Sequence, residues 1–478
     1  MARIAQGLVY LLVLSTIPTA TGCLLLLGVE EEKDRPPPDA PTLCEPGSET
    51  SCYSGLEGTE GVGICAGGMM TCNAQGFGYG SCAGQVTPGI EDCAKPEDED
   101  CSGLACAQPL WSKLFGDAGD QRVSAMAVDA AGAVYVTGSF AGTINLGGQT
   151  LTSAAGTGGF LAKLDAQGNH VWIRPFQGAS GHVSLAVDAD GNLIAAGRSA
   201  SIQIDAVDLS TTDDLVFVVK LDQDGHAVWG RGFDGANPQD YKGEYIGGVA
   251  TDSAGDVAII GWFSGEVDFG FGTLVAQGTD TILMKLTVWA RSIGPKLAQV
   301  PQLDSGRIFP DLTVDAKSNI IMAGGATTGA DLGGGSLAIA GDYGAFVAKF
   351  SPEGTYLASA VYGGQADTVA TAVAADSNQN TIVAGLFQEF VDFGAGGTLS
   401  GAGWNLFLLK MDPRGVGVWS KGFSSGQQVY GDVIDDVSVA MGSAHISAAG
   451  SVAGSIDLGT GTLVGNGGRD AFVAEFAP

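Results

Sequence analysis

Ala127-Val128-Asp129-Ala130-Ala131-Gly132-Ala133-Val134-Tyr135-Val136-Thr137-Gly138 is an apolar run ended by Asp, a turn, and a second apolar run ended by Gly. Two short strands joined by a tight hairpin give this pattern, with the turn Gly free to take positive φ. The Asp recurs as Asp188, Asp252, Asp315 and Asp376. A Gly follows nine residues later each time, as Gly138, Gly197, Gly261, Gly324 and Gly385. A sixth copy keeps Gly450 but has a shortened turn, Met441-Gly442-Ser443-Ala444, without the Asp.

Three further registers travel with this one. The first is Ile144-Asn145-Leu146-Gly147, repeated as Val267-Asp268-Phe269-Gly270, Ala330-Asp331-Leu332-Gly333, Val391-Asp392-Phe393-Gly394 and Ile456-Asp457-Leu458-Gly459, and degenerate at Ile202-Gln203-Ile204-Asp205. Next comes a strand carrying Lys163, Lys220, Lys285, Lys349 and Lys410, with Glu475 in the last copy. It lies 25, 23, 24, 25, 25 and 25 residues after the marker Gly, a regularity that fixes one register for all six copies. A fourth strand carries Trp111, Trp172, Trp229, Trp289 and Trp419, with Ala358 in the remaining slot. Trp at this slot is read as packing between repeats.

Each copy is therefore about 60 residues and four strands long, the size of a propeller blade. A lone four-stranded sheet exposes two faces, and stacking sheets around an axis buries both. The series opens on a fourth-type strand, Trp111–Phe115, and ends on a third-type strand, Phe472–Phe476. The first strand should complete the last blade and leave no open sheet edge. The predicted fold is all-β: a six-bladed β-propeller of four-stranded blades with a shared closing blade, over 107–478, preceded by a small disulfide-rich module. Blocks such as Val134-Tyr135-Val136-Thr137-Gly138-Ser139-Phe140 and Phe346-Val347-Ala348-Lys349-Phe350 resemble the bacterial β-propeller repeat called SBBP. That resemblance implies the fold and carries no activity.

Cysteine falls entirely outside the repeats. Cys44, Cys52, Cys65, Cys72, Cys82, Cys93, Cys101 and Cys106 lie in 44–106, and the ninth is Cys23. So many Cys in a short, turn-rich stretch describe a module stapled by disulfides for want of a core. Four bridges are expected, with all pairings open. No CxxC pair and no His occurs there, which argues against zinc. The module is similar to Cys-rich segments that precede repeat domains in myxobacterial surface proteins. Pro88–Cys93 followed by Asp98–Gly103 resembles a short motif described as metal-binding, which implies Glu91, Asp98 and Asp100 as oxygen ligands for Ca²⁺. A solvated acidic loop is the alternative.

Upstream, Met1–Arg3 is basic, 4–20 is mostly apolar, and Ala20-Thr21-Gly22 leads to Cys23. This resembles the lipobox of bacterial lipoproteins, which implies a signal peptide over 1–22, lipidation of Cys23, and anchoring by two or more acyl chains. The resemblance also implies an extracytoplasmic, lipid-anchored protein at the outer membrane or surface of a Gram-negative bacterium. An uncleaved anchor over about 4–29 and plain secretion remain as alternatives. Residues 23–43 are acidic and Pro-rich, an extended tether.

Chemistry is sparse. A net charge of −30 argues against nucleic acid and anionic membrane surfaces as partners. His170, His182, His226 and His445 are scattered without metal-binding spacing. Gly422-Phe423-Ser424-Ser425-Gly426 matches GxSxG but lacks the helix that a nucleophile elbow needs. No catalytic residue and no cofactor other than Ca²⁺ is assigned. A site is expected on the variable loops joining fourth to first strands, with Asp240, Tyr241, Glu244 and Tyr245 as the candidate ligand cluster. The expected role is a non-catalytic binding or scaffolding module for a glycan or surface protein. The competing expectation is an extracellular polysaccharide hydrolase or lyase on the same face.

Overall fold

The computed structural model describes residues 42–55, 58–89, 97–99, 101, 107–176, 182–199, 201–209, 215–233, 245–270, 272–287, 292–296, 310–339, 341–364, 366–424, 434–442 and 445–477. They fall into two compact units. One holds the described parts of Met1–Thr50 and Met69–Ser81, the other those of Ser51–Gly68 and Cys82–Pro478.

The propeller lies in the second unit. Its strands are β1 (Pro109–Phe115), then β2 (Gln121–Val128), β3 (Val134–Asn145), β4 (Thr150–Leu164) and β5 (His170–Pro175) in the first blade. The second blade has β6 (Val183–Val187), β7 (Leu193–Ser199), β8 (Leu215–Leu221) and β9 (Ala227–Phe233). The third has β10 (Tyr245–Thr251), β11 (Val257–Asp268), β12 (Thr273–Leu286) and β13 (Ser292–Lys296). The fourth has β14 (Asp311–Val314), β15 (Ile320–Ala326), β16 (Gly344–Phe350) and β17 (Tyr356–Tyr362). The fifth has β18 (Thr368–Ala375), β19 (Thr381–Asp392), β20 (Thr398–Met411) and β21 (Gly417–Ser424). The last has β22 (Ile434–Met441), β23 (Ile446–Asp457) and β24 (Thr462–Phe476), and β1 is its fourth strand.

Every blade is an antiparallel four-stranded sheet, and the six first strands neighbour one another in a closed ring. Closure is by register: Phe472 pairs Leu114, Val473 pairs Lys113, Ala474 pairs Ser112 and Glu475 pairs Trp111. The two chain ends of the ring also meet, with the Ala477 N–H donating to the Gln108 carbonyl at 2.8 Å. The predicted six blades and shared closing blade are thus present.

The sequence markers acquire physical reasons. In five blades the marker Gly on the second strand faces a Phe on the third, pairing Gly138 with Phe160, Gly197 with Phe217, Gly324 with Phe346, Gly385 with Phe407 and Gly450 with Phe472. A Cβ on Gly385 would lie 2.1 Å from the Val369 carbonyl and 2.7 Å from the Phe407 ring. The Gly therefore leaves room both for a carbonyl of the adjoining first strand and for an aromatic ring on the third.

The turn Asp does two things. One oxygen of Asp188 accepts the N–H groups of Asp190 and Asn192 at 3.0 and 2.8 Å, holding the hairpin. The other pairs with the Lys of the third strand, at 2.6 Å for Lys220–Asp188 and Lys285–Asp252 and 2.8 Å for Lys349–Asp315. In the first blade Lys163 reaches Asp129 at 3.6 Å and also donates to Tyr135. The last blade lacks both partners and reverses the arrangement. Glu475 occupies the Lys slot, accepts from the Trp111 indole N–H at 2.7 Å, and faces His445 at 3.5 Å.

One assignment changes. Trp289 was expected in the fourth-strand slot of the third blade, but the pairing strand is β13, with Met284 opposite Pro295 and Leu286 opposite Ser292. Leu286 is still in the ladder, so the chain can reverse only beyond it. Trp289 falls in that connection, outside the described residues.

In four blades the second strand bends at a bulge. The unpaired residue is Gly142, Gly265 and Gly454 in three of them, with φ of 82°, 77° and 93°. In the fifth blade it is Glu389, at φ 56°. A side chain in this left-handed region costs about 1–2 kcal/mol, partly offset because Gly loses more freedom on folding. Glu389→Gly is expected to stabilise the fold by up to about 1 kcal/mol in urea unfolding. A loss of stability would show that the Glu389 side chain makes a contact worth more than the strain.

The cysteines pair Cys44–Cys72, Cys52–Cys82 and Cys65–Cys101. Cys93 and Cys106 lie outside the described residues. Disulfides persist outside the reducing cytoplasm, so this is an extracytoplasmic chain. No helix among the described residues is long and apolar enough to cross a membrane. Cys23 lies outside them.

Candidate functional site

The six first strands line a central channel of about 860 Å³. All run in the same sense, so each position recurs around the wall. The ends nearest the turns contribute Val128, Val187, Thr251, Val314, Ala375 and Met441, a mostly apolar floor. The opposite mouth gathers Arg122, His182, Asp311 and Asp367, with Tyr343 and Trp404 at the rim.

Neighbouring first strands are stitched by side chains. The residue four before the turn position accepts a backbone N–H from the next blade. Ser184 accepts from Val249 at 3.0 Å, Ser438 from Met126 at 3.1 Å, and Asp311 from Val373 at 3.0 Å. The intervening blades carry Ala125, Gly248 and Ala372 at this place, so bonding and non-bonding residues alternate round the ring. Asp311 is the exception in kind, a carboxylate where two equivalent slots hold a hydroxyl. Gly248 makes room for it, because a Cβ there would lie 2.6 Å from Asp311 Oδ1.

Burial pushes the Asp311 carboxyl up to about 7, against the pull of the Val373 and Leu312 N–H groups. Near neutrality it is poised between acid and carboxylate. His182 Nε2–H donates to the Gly247 carbonyl at 3.2 Å. Burial pushes its imidazole below the ordinary value, only partly opposed by that bond, which favours the neutral ring. Arg122 lies 3.7 Å from Asp120. Asp367 accepts the Tyr343 N–H at 3.3 Å.

Of the expected ligand cluster, Asp240, Tyr241 and Glu244 lie outside the described residues. Tyr245 opens β10 opposite Trp262, two residues before the channel-lining Gly247. β10 therefore begins beside the polar mouth. The structure places both His182, one of the scattered histidines, and Asp311 in the channel lining, on or beside first strands. A signal existed: in the sequence register, Asp311 falls in line with Ala125, Ser184, Gly248 and Ala372.

The remaining candidates do not converge. His226 sits in an exposed turn near Asp205 and Arg174, and His170 packs against Gly148. Ser424 of the GxSxG match ends the outer strand β21. Glu91 and Asp100 lie outside the described residues, and the Asp98 backbone carbonyl accepts the Ile64 N–H at 3.1 Å. Among the described residues no group of three or more His, Cys, Asp or Glu could hold a metal ion.

No family model and no curated protein matches the chain. Solved structures do. A protein of unknown function from Dyadobacter fermentans aligns at 8% identity over 78% of this chain and 99% of its own, with a TM-score of 0.48. The endosialidase of phage phi92 aligns at 8% identity over 77% of this chain and 69% of its own, TM-score 0.36. A GH43 protein from Bacillus licheniformis aligns at 8% identity over 91% and 96%, TM-score 0.27.

Proposed function

We propose that this chain is a non-catalytic binding module of an exported protein, anchored through lipid on Cys23, and that its ligand enters the propeller channel at the Asp311 end. The observation that carries this reading is the channel itself, an 860 Å³ concavity with an apolar floor and a few polar groups gathered at one mouth. Ligand pockets have this size and this division of labour. A short glycan or the end of a surface polypeptide suits such a mouth. The chain that resembles a lipoprotein signal supports the anchor, and the disulfides are consistent with it.

A thermal-shift screen of oligosaccharides and peptides against the exported chain tests the reading, with reducing-sugar release measured alongside. Saturation at a hundred times Kd should stabilise by about 2.7 kcal/mol. Thr313→Trp, which narrows the channel from its wall, should abolish the shift while leaving the unliganded melting point near wild type. Stabilisation that survives Thr313→Trp would place the ligand elsewhere. Sugar release abolished by Asp311→Asn would replace the binding reading with the hydrolase one.

A further inference from the structure

We infer that the channel is a receptor for an amine, taking a ligand with an ammonium group on an apolar body, the ammonium against Asp311 and the body along the channel wall. This rests on the binding reading above and narrows it to one chemical class.

The first argument is the register. The stitch between first strands needs only an acceptor, and serine supplies it at Ser184 and Ser438. The fold therefore does not require a carboxylate at Asp311. A buried carboxylate costs stability unless something pairs with it. Asp311 accepts the Val373 N–H on Oδ2 and is also reached by the Leu312 N–H, and its Oδ1 occupies the space that Gly248 leaves by lacking a side chain. Two departures from the repeat, on adjacent blades, thus combine to place one acid in the channel wall.

The second argument is the polarity of the channel. The charged and titratable groups that line the channel with Asp311 are Arg122, His182, Tyr343 and Asp367. Arg122 has Asp120 beside it, and the imidazole is held toward its neutral form. Asp367 adds a second acid at the same end. Below them the wall mixes Val, Ala and Met with the hydroxyl residues Ser124, Thr313 and Thr371, down to Val128, Val187 and Met441 at the floor. An anion would meet two carboxylates and the field of a chain with net charge −30. A cation is drawn by both, and its apolar remainder meets the floor.

The test uses the exported chain and three probes of matched shape: n-hexylamine, n-hexanol and hexanoate, followed by calorimetry. Hexylammonium should bind at least tenfold more tightly than hexanol, and hexanoate should not bind. Because Asp311 must be ionised to hold the ammonium, affinity should rise about tenfold from pH 6 to pH 8, with nearly one proton released per amine at pH 6. Asp311→Asn should erase the preference for the amine and the pH dependence together. Asp311→Ser, which installs the residue of the equivalent slots, should do the same in a protein whose melting curve confirms folding. Hexanol bound as tightly as hexylamine, or amine binding unchanged in both variants, overturns the inference and leaves the channel reading standing. No binding by any probe also overturns it, while the channel reading is judged separately by Thr313→Trp in the glycan and peptide screen.

Discussion

Replacing Asp188 with alanine should destabilise the propeller by about 3–5 kcal/mol, the cost of breaking a buried ion pair by removing one partner. Asp188 and Lys220 are 7% and 8% exposed, and their charged atoms are 2.6 Å apart. Without the acid, the ammonium stays in the wall between strands with nothing to balance it. The hairpin also loses the acceptor for the Asp190 and Asn192 N–H groups. Asp222 supplies the internal comparison. It holds a turn of the same design, accepting from Asp224 and His226 at 3.0 and 2.8 Å, at a more exposed place. Asp222→Ala should therefore cost about 1 kcal/mol, the net worth of turn hydrogen bonds. Adding Lys220→Met to Asp188→Ala should recover part of the larger loss. Equal effects at Asp188 and Asp222 in urea unfolding would mean that the ion pair contributes nothing beyond the turn.

Stability should peak at mildly acidic pH and decline toward pH 8. Asp311 is raised to about 7 by burial. Glu475 is raised by burial against the pull of Trp111 and His445, and Asp470 is raised by burial with Asp117 adding to it. Glu475 and Asp470 are 1% and 0% exposed. Each holds its proton more tightly in the fold than in the unfolded chain, where carboxyls ionise near pH 4. Stability therefore falls as pH rises through that window, by up to a few kcal/mol for Asp311 alone. The acid limb has the opposite origin. Burial would raise Asp188 and Asp315, but Lys220, Lys349 and the turn donors outweigh it and hold both below the ordinary value. Their contribution is complete above pH 4 and lost as they protonate. Melting temperatures from about pH 2 to pH 8 should show this dome, and Asp311→Ser should flatten its alkaline side. An alkaline decline as steep in Asp311→Ser as in wild type would remove Asp311 from the account.

The fold was legible because a blade is a local object. Hairpin turns, strand lengths and the marker Gly all lie within about 60 residues, and repetition separates register from drift. The completion of the last blade by Trp111–Phe115 could be read across the whole ring, because the missing strands at each end complement each other. What the turn Asp does with the third-strand Lys was less visible, since the two lie some 32–34 residues apart. The clue was their joint loss in the last copy, where Gly442 and Glu475 stand in their places. The channel was hidden for a different reason. It is built from one short stretch of each blade, whereas sequence variation points to the loops, where function is usually found. Asp311 differs from Ser184 and Ser438 only in chemistry at a constant position, and that contrast appears once the strands are set side by side.

The ring closure that creates the channel is most directly tested by the register of β1 on β24. Ala474 stands opposite Ser112, and directly opposed residues in an antiparallel pair lie within disulfide range. With Ser112→Cys and Ala474→Cys together, a cross-link should form within single molecules, detected by mass spectrometry of a proteolytic digest. Ser112→Cys with Val473→Cys, slipped by one residue, should place the two thiols on opposite faces and form none. Efficient cross-linking of the slipped pair, or cross-links only between molecules, would contradict a ring closed by its own first strand.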